Sequence, residues 1–249
     1  MMPPKTVSII GYKNSGKTSV AEALISELRQ RGATVISIKH TAEDVKLDTP
    51  GKDTERHREA GAKAVAILHD NAGAIFYDHP LLLQEASKKL GVADYLVIEG
   101  FKTVKNHVRI IVPREEGDIE ALSSGLELAI VNLHDLILDT DIAVHTIDEI
   151  DKIADIVEEK SFIMLPDLNC GGCGYENCWE MGKAILRGEK TAMECVVYKM
   201  DFRLKVNDEE IPVNNFVRRA MKNVILGFIK TLRGVEPAEK VELEFIKDE

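Results

Sequence analysis

The residues best suited to chemistry form one short run near the start of the chain: Gly11, Tyr12, Lys13, Asn14, Ser15, Gly16, Lys17 and Thr18. The two glycines allow the backbone to turn its N–H groups inward around an anion. Lys17 adds a positive charge for phosphoryl oxygens, and the hydroxyl of Thr18 is a ligand for Mg²⁺. The G-x-x-x-x-G-K-T spacing therefore predicts a P-loop whose eight residues bind a nucleoside triphosphate.

The segments on either side of this run favour the same interpretation. Thr6–Ile10 is a short, β-branched run that is typical of a buried strand. After the loop, apolar residues recur at helical spacing until Gly32: Val20, Leu24, Ile25 and Leu28. A glycine turn that matched by chance is the alternative, and it would not require this order of strand, loop and helix.

One carboxylate lies where a second magnesium ligand is expected. Tyr95–Gly100 is an apolar strand that ends with Glu99, and P-loop NTPases place an acid at such a strand end. Asp is the usual residue there, so Glu99 is a departure, and a solvent-exposed strand end is the alternative interpretation. We expect Thr18 and Glu99 to hold Mg²⁺, and Lys17 and Glu99 to be the catalytic residues.

Three side chains that follow the second predicted strand, Thr34–Lys39, are weaker candidates. Asp44 and Asp48 are candidates for Mg²⁺ or switch contacts, although acidic residues are common in loops. His40 is a candidate phosphate contact, and a hydrogen-bonded loop histidine is an equally good interpretation.

All four cysteines lie in the last third of the chain: Cys170, Cys173, Cys178 and Cys195. In a cytosolic chain this clustering favours a metal site over a disulfide framework. Zinc ribbons usually have two C-x-x-C knuckles, and this chain has one. Three thiolates on a glycine-rich loop with a distant fourth suit a cubane, and the segment resembles a small four-cysteine [4Fe–4S] domain. Zinc is the alternative metal.

The alternation of strands and helices predicts an α/β fold, a P-loop NTPase with a mostly parallel sheet flanked by helices. A second, small α+β iron–sulfur domain is expected at the C-terminus. Because composition shifts at Ser161–Asn169, we interpret that stretch as a connector and divide the chain into residues 1–160 and 161–249. The first domain is expected to fold alone.

The end of the chain carries an apolar helical stripe at 216–232 and two alternating strand-like runs, Phe202–Val206 and Val241–Phe245. A partner surface is one interpretation of the stripe. Packing against these strands as a small core is the favoured one.

The composition argues against two classes of partner. A net charge of −10 and a pI near 5.3 argue against a broad nucleic-acid surface. The sequence contains no apolar run long enough to span a bilayer. We therefore expect a cytoplasmic protein that binds neither nucleic acid nor membrane.

Three segments resemble the molybdopterin-guanine dinucleotide biosynthesis adaptor (MobB) family. They are GYKNSGKT at 11–18, IKHTAEDVKLDTPGKDTERHREAGA at 38–62 and VIEGFK at 97–102. The resemblance implies a P-loop fold that binds GTP with Mg²⁺ and hydrolyses it slowly, acting mainly as an adaptor. It also implies a guanylyltransferase partner, with molybdopterin, a molybdo- or tungsto-enzyme and a homodimer as further candidates. The chain lacks the Asn-Lys-x-Asp guanine signature, so the preference for guanine rests on the resemblance.

Two other functions compete with this one. The first is a nucleotide-gated iron–sulfur carrier or electron-transfer ATPase or GTPase, in which the P-loop drives transfer at the cluster. Iron–sulfur assembly ATPases usually have a lysine second in the loop, where this chain has Tyr12. The second is a zinc-stapled interaction module at the C-terminus.

Overall fold

The computed structural model describes residues 3–41, 45, 47–198, 202, 204–207, 209–232 and 240–244. The strands are β1 (Lys5–Ile10), β2 (Val35–Lys39), β3 (Ala64–His69), β4 (Ala72–Tyr77), β5 (Tyr95–Glu99), β6 (Val108–Ile111), β7 (Glu127–Val131), β8 (Val144–His145), β9 (Phe162–Ile163), β10 (Leu204–Val206) and β11 (Glu209–Ile211). The α-helices are α1 (Lys17–Gln30), α2 (Asp53–Glu59), α3 (Leu83–Leu90), α4 (Gly117–Leu122), α5 (Ile150–Lys160), α6 (Cys178–Leu186) and α7 (Asn215–Ile229). None of the helices in these residues is long and apolar enough to cross a bilayer.

The main sheet has the order β2-β5-β1-β6-β7-β8, and all of these neighbours run parallel. A seventh strand, β9, pairs antiparallel with β1. In the central strand, Val7 and Ile9 alternate with Thr6 and Ser8, and all four are buried. A strand buried on both faces is typical of a parallel sheet covered by helices. The predicted α/β class is confirmed.

Helices α1 and α5 cover one face of the sheet. The predicted stripe of α1 is confirmed, since Val20, Leu24 and Leu28 are fully buried. Arg31 ties the two helices together, with Nη1 lying 2.6 Å from Asp155 Oδ1 and 2.9 Å from Glu158 Oε2. On the other face, α3 contributes to a smaller cluster through Leu83.

Strands β3 and β4 form a separate antiparallel hairpin, with Ala64 opposite Tyr77. Gly73 lies within β4, outside the turn of the hairpin. The turn consists of Asp70 and Asn71, two residue types that tolerate tight-turn backbone angles.

Strand β9 follows the expected domain boundary and belongs to the main sheet. Phe162 pairs with Thr6 and Ile163 with Lys5, and Leu165 beyond them is also buried. The interpretation of Ser161–Asn169 as a connector is therefore wrong at its beginning. Strand β9 was not predicted because two residues are too few to show the alternation that is typical of a strand. The division at residue 160 separates residues that share one hydrophobic core.

Helix α6 packs against the same core. Met181 and Ala184 are buried, and Gly182 faces the sheet closely. A Cβ at residue 182 would lie 3.1 Å from Leu126 Cδ2 and 3.5 Å from Phe162 Cζ. The cysteine-bearing region is therefore joined to the sheet by direct packing.

Trp179, the single tryptophan of the chain, lies at this junction. Its indole Nε1 donates a hydrogen bond to the carbonyl of Ser124 at 2.7 Å. The ammonium groups of Lys105 and Lys183 lie 4.3 and 4.4 Å from the ring centroid. Such cation–π contacts add to the packing between α6 and the sheet.

The described part of the C-terminal region differs from the expected small core. Strands β10 and β11 form a hairpin, and α7 has no buried residue. Phe216, Val224 and Phe228 are exposed, so the favoured packing of this stripe is wrong. Helical periodicity shows that one face is apolar but not what covers it. Residues 240–244 do not form the expected last strand, and Phe245 lies outside the described residues.

A buried polar chain connects the centre of the sheet to the segment after β9. Ser8 Oγ donates to His107 Nε2, and His107 Nδ1 donates to Asn106 Oδ1 at 2.6 Å. Asn106 Nδ2 then donates to the carbonyl of Leu165 at 2.8 Å. With a neutral imidazole, each side chain in this series has a hydrogen-bond partner. We therefore interpret His107 as a structural residue rather than a catalytic one.

The packing of β9 can be tested with a matched pair of phenylalanines. Phe162→Ala should lower the free energy of unfolding by about 3–5 kcal/mol, because a buried ring is lost from the core. Phe216→Ala should lower it by less than about 0.5 kcal/mol, because that ring is 79% exposed. Urea denaturation followed by circular dichroism measures both. Equally small effects would contradict the place of β9 in the core.

Burial, with Arg109 nearby, lowers the pKa of His107 to about 3 from its ordinary value of 6.5. Between these pH values the unfolded chain binds one more proton than the folded chain. The free energy of unfolding should therefore fall as the pH falls through this window, by on the order of 1 kcal/mol per pH unit from this residue. His107→Gln should reduce the slope measured by urea denaturation between pH 4.5 and 6.5. The exposed control, His69→Gln, should keep it, and equal slopes in both variants would contradict the assignment.

Candidate functional site

The predicted P-loop connects the end of β1 to the start of α1. A Cβ at Gly11 would lie 2.4 Å from the carbonyl oxygen of Val112, so only glycine fits there. Asn14 and Gly16 have φ values of 62° and 90°, in the left-handed region. These angles turn the loop back over the N-terminus of α1, where backbone N–H groups and the helix dipole favour an anion.

Lys17 lies inside this loop. Its Nζ donates hydrogen bonds to the carbonyl of Tyr12 and, at 3.4 Å, to Ser15 Oγ. Burial lowers the pKa of Lys17; Glu99 opposes that shift, and three neighbouring cations add to it: Lys102, Lys39 and Arg114. A half-buried ammonium with further positive charges around it is typical of a site that binds a polyanion.

Thr18 and Glu99 lie together, as the magnesium prediction requires. The Thr18 hydroxyl donates to Glu99 Oε1 at 2.9 Å. The strand register accounts for this contact, because β5 lies next to β1 and Glu99 pairs with Ile9 just before the loop. Two adjacent oxygens at this edge suit a hard cation.

Lys39 is a site residue that sequence reasoning missed. It ends β2, directly beside Glu99 in the register. Its Nζ lies 3.1 Å from Glu99 Oε1 and 3.4 Å from Thr18 Oγ1. The ammonium therefore contacts both oxygens assigned to the metal. Its position as the last residue of the strand that follows α1 was the available signal.

Two more cations approach the P-loop from other strand ends. Arg114, after β6, donates from Nη1 to the carbonyl of Lys13 at 3.0 Å. Lys102, after β5, places its Nζ 4.2 Å from the centroid of the Tyr12 ring. Neither cation was predicted as a site residue, because their proximity to the loop depends on how the strands are ordered.

The weaker candidates have structural partners. Asp48 accepts hydrogen bonds from Thr54 Oγ1 at 2.9 Å and from the backbone N–H of Thr49 at 2.8 Å, which closes a local turn. The ring of His40 lies 4.3 Å from that of Phe101. Asp44 lies outside the described residues.

The first three cysteines lie on a loop that leads into α6, which begins at Cys178. The Asn169 side chain accepts from the backbone N–H of Cys178 at 2.9 Å. Gly171 and Gly174 have φ values of 66° and 91°, so the tight course of the loop depends on glycine. Cys195 follows a short 3-10 turn, Ala192–Glu194.

Electrostatic interactions connect Cys178 with Cys170, and Cys195 with Cys173 and Cys178. Burial raises the pKa of Cys178, and Cys170 contributes to the shift. Burial also raises the pKa of Cys195, with contributions from Cys178 and Cys173. In the part of the chain that the structure describes, no three metal-binding side chains are already gathered around one point. Four thiols on a glycine-rich loop and a nearby turn nevertheless fit the donor set of an iron–sulfur cluster.

Comparisons with known proteins match both parts of the chain. A family model described as "MobB: Molybdopterin guanine dinucleotide synthesis protein B" matches residues 6–133. A second model, described as "Putative Fe-S cluster", matches residues 165–197, which include all four cysteines.

Two relatives and one solved structure extend these matches. A protein of Methanocaldococcus jannaschii named "Putative molybdopterin-guanine dinucleotide biosynthesis adapter protein" is 31% identical over 244 residues, or 96% of this chain and 97% of that protein. The molybdopterin-guanine dinucleotide biosynthesis adapter protein of Haemophilus influenzae is 32% identical over 158 residues, or 61% and 86%. The crystal structure of Bacillus subtilis MobB covers 61% of this chain and 97% of its own, with 23% identity and a TM-score of 0.52, which shows the same fold. With a family match over half of its length and a relative that spans nearly all of it, this chain belongs to the MobB family.

Proposed function

We propose that this protein is a GTP-binding adapter in molybdopterin guanine dinucleotide biosynthesis, with weak GTPase activity and a [4Fe–4S] cluster. The names of its relatives support the pathway. The observation that carries nucleotide binding is the loop closed around Lys17, with the Thr18–Glu99 pair 2.9 Å apart beside it. A cytoplasmic location is part of the proposal.

The eight residues Gly11–Thr18 would bind the triphosphate. Their backbone N–H groups and the ammonium of Lys17 bind phosphoryl oxygens. Lys102 and Arg114, which approach from neighbouring strand ends, add positive charge on two sides. This concentration of cations favours a triphosphate over less charged ligands.

Thr18 and Glu99 would hold Mg²⁺, which supplies charge neutralisation for the β- and γ-phosphate oxygens when it is bound. Lys39 contacts both oxygens, so its ammonium competes with the metal or moves towards phosphate. With Glu99 engaged by the metal, this carboxylate is poorly placed to act as a general base. Lys17 and Glu99 are the proposed catalytic residues, Lys17 through its contact with phosphate and Glu99 through the metal. Slow hydrolysis is consistent with the role of an adapter.

Cys170, Cys173, Cys178 and Cys195 would ligate the [4Fe–4S] cluster. When bound, a cluster supplies one-electron transfer or a structural cross-link. The thiols of Cys178 and Cys195 belong to the same buried core as α1, the helix that follows the P-loop. That shared core favours a second candidate function, an iron–sulfur carrier or electron donor whose state depends on nucleotide.

A molybdopterin guanylyltransferase is the proposed partner, with molybdopterin or a molybdo- or tungsto-enzyme as further candidates. Nothing in this proposal requires nucleic acid or a membrane. The homodimer stays a prediction. Co-purification of the guanylyltransferase with the tagged protein, in the presence and absence of GTP, tests the proposed role directly.

Lys17→Ala should weaken GTP binding about ten- to a hundred-fold, because a charge-assisted contact to phosphate is worth about 1.5–3 kcal/mol. Isothermal titration calorimetry with GTP and Mg²⁺ measures the change. Lys160→Ala, at the exposed end of α5, is the control and should bind as the unchanged protein does. Equal affinities in all three proteins would overturn the P-loop assignment.

Cys173→Ser should abolish visible absorption near 400 nm in protein purified without oxygen, because one of four cluster ligands is lost. The control Met193→Ser changes an exposed side chain two residues from Cys195 and should keep the absorption. Metal analysis of the same samples should find iron. Zinc in its place, with no visible absorption in the unchanged protein, would contradict the cluster and favour the zinc-stapled module.

A further inference from the structure

The chain between β5 and β6, residues 100–106, contacts both candidate sites, and we call it the bridging segment. It begins at Gly100, whose backbone N–H donates to the carbonyl of Ile9 at 3.0 Å, shortly before the P-loop. It ends at Asn106, which is fully buried and bonded to Leu165, just after β9. Seven residues therefore connect the nucleotide loop with the cysteine-bearing region.

A cation joins the first part of the bridging segment to the P-loop. The ammonium of Lys102 lies 4.2 Å from the centroid of the Tyr12 ring, and its charge also acts on Lys17. A phosphoryl oxygen is a stronger partner for an ammonium than an aromatic ring, because it carries negative charge. Lys102 therefore has two positions open to it, one over the ring of Tyr12 and one on a phosphate held by the loop.

Arg109, a buried side chain of β6, stiffens the bridging segment. Its Nη1 donates to the carbonyl of Lys102 at 3.2 Å, and its Nη2 donates to the carbonyl of Val104. Within the segment, the backbone N–H of Val104 donates to the carbonyl of Phe101 at 3.1 Å, which closes a turn. Because these bonds make the segment rigid, a shift at Lys102 reaches its far end instead of being absorbed within it.

The far end of the bridging segment is bonded to the chain that leads to the cysteines. Asn106 Nδ2 donates to the carbonyl of Leu165 at 2.8 Å, and the backbone N–H of Leu165 donates to the carbonyl of Asn106 at 2.9 Å. The neighbouring Met164 shares a hydrophobic cluster with Phe101 and Val104 of the segment. Paired hydrogen bonds and apolar packing therefore hold the residues that precede the cysteine loop.

Two further contacts continue from this point to the cysteine-bearing region. The hydroxyl of Tyr198 donates to the carbonyl of Met164, and its backbone N–H donates to the carbonyl of Cys195 at 3.0 Å. The ammonium of Lys105, in the bridging segment, lies 4.3 Å from the centroid of the Trp179 ring, at the start of α6. A continuous series of contacts thus joins the P-loop to the last cysteine and to the cysteine-bearing helix.

We propose that the bridging segment links nucleotide binding to the cysteine-bearing region, so that GTP at the P-loop slows the local opening of that region. A bound phosphate draws Lys102 from the ring of Tyr12 and fixes the segment, which then restrains Leu165 and α6. The linkage is reciprocal, so a group that binds and orders the cysteines raises the affinity for GTP by the same factor. The proposal rests on nucleotide binding at the P-loop and adds a regulation to that site.

Hydrogen–deuterium exchange of the whole protein, with and without saturating GTP and Mg²⁺, tests this linkage. The backbone amides of residues 164–186 should exchange roughly five- to a hundred-fold more slowly with nucleotide, the usual range of coupling between two sites. Helix α5, which packs against α1 and β7, is the internal reference. Any slowing in α5 measures the general stabilisation that a bound ligand gives to the fold, and it should be smaller.

Two exposed lysines of the bridging segment allow the same measurement in variants that keep the core intact. Lys102→Met removes the charge that is drawn to phosphate, so the excess protection of residues 164–186 over α5 should disappear even at saturating GTP. Lys105→Met removes the contact with Trp179, so the excess should fall in α6 and persist at Leu165, which Asn106 still holds. Lys160→Met, at the exposed end of α5, is the control and should keep the full excess.

The possible outcomes separate this linkage from nucleotide binding itself. Equal slowing in residues 164–186 and in α5, or an excess that neither Lys102→Met nor Lys105→Met reduces, would overturn the linkage and leave the P-loop assignment intact. If GTP slowed exchange in no part of the unchanged protein, the P-loop included, the proposed function would fall together with this inference.

Discussion

Strand β1 is hydrogen-bonded along both edges and buried on both faces, and the functional segments depend on this arrangement. Its carboxyl end continues into the P-loop, with β5 and β6 placing Glu99 and Arg114 on either side. Its amino end pairs with β9, which leads into the cysteine region. One strand therefore sets the position of both candidate sites.

The placement of charge follows from the same strand order. Parallel strands end at one edge, so Lys39, Lys102 and Arg114 converge on Lys17 although they are far apart in the sequence. Repulsion among these cations destabilises the site when it holds no anion. If a triphosphate binds here as proposed, it would relieve that repulsion, and part of its binding free energy would come from this relief.

Local patterns in the sequence predicted the parts of the site that are contiguous. The P-loop, the strand that ends at Glu99 and the cysteine loop each carry their own spacing, and the first two are confirmed as neighbours in the structure. Lys39 could not be found in this way, because its contacts with Glu99 and Thr18 depend on strand register and order. Strand β9 is too short to show a period, and the stripe on α7 gave no indication of whether it would be covered.

The place of Trp179 has a spectroscopic consequence. The ring bridges the cysteine-bearing helix and the sheet, held by the Ser124 carbonyl and flanked by two ammonium groups. Because it is the single tryptophan, all indole fluorescence of the protein originates at this junction. Its emission wavelength reports the polarity between the two regions, and an iron–sulfur cluster bound close by would quench it by energy transfer. The molecule thus carries a built-in optical probe at the contact through which its two candidate sites would communicate.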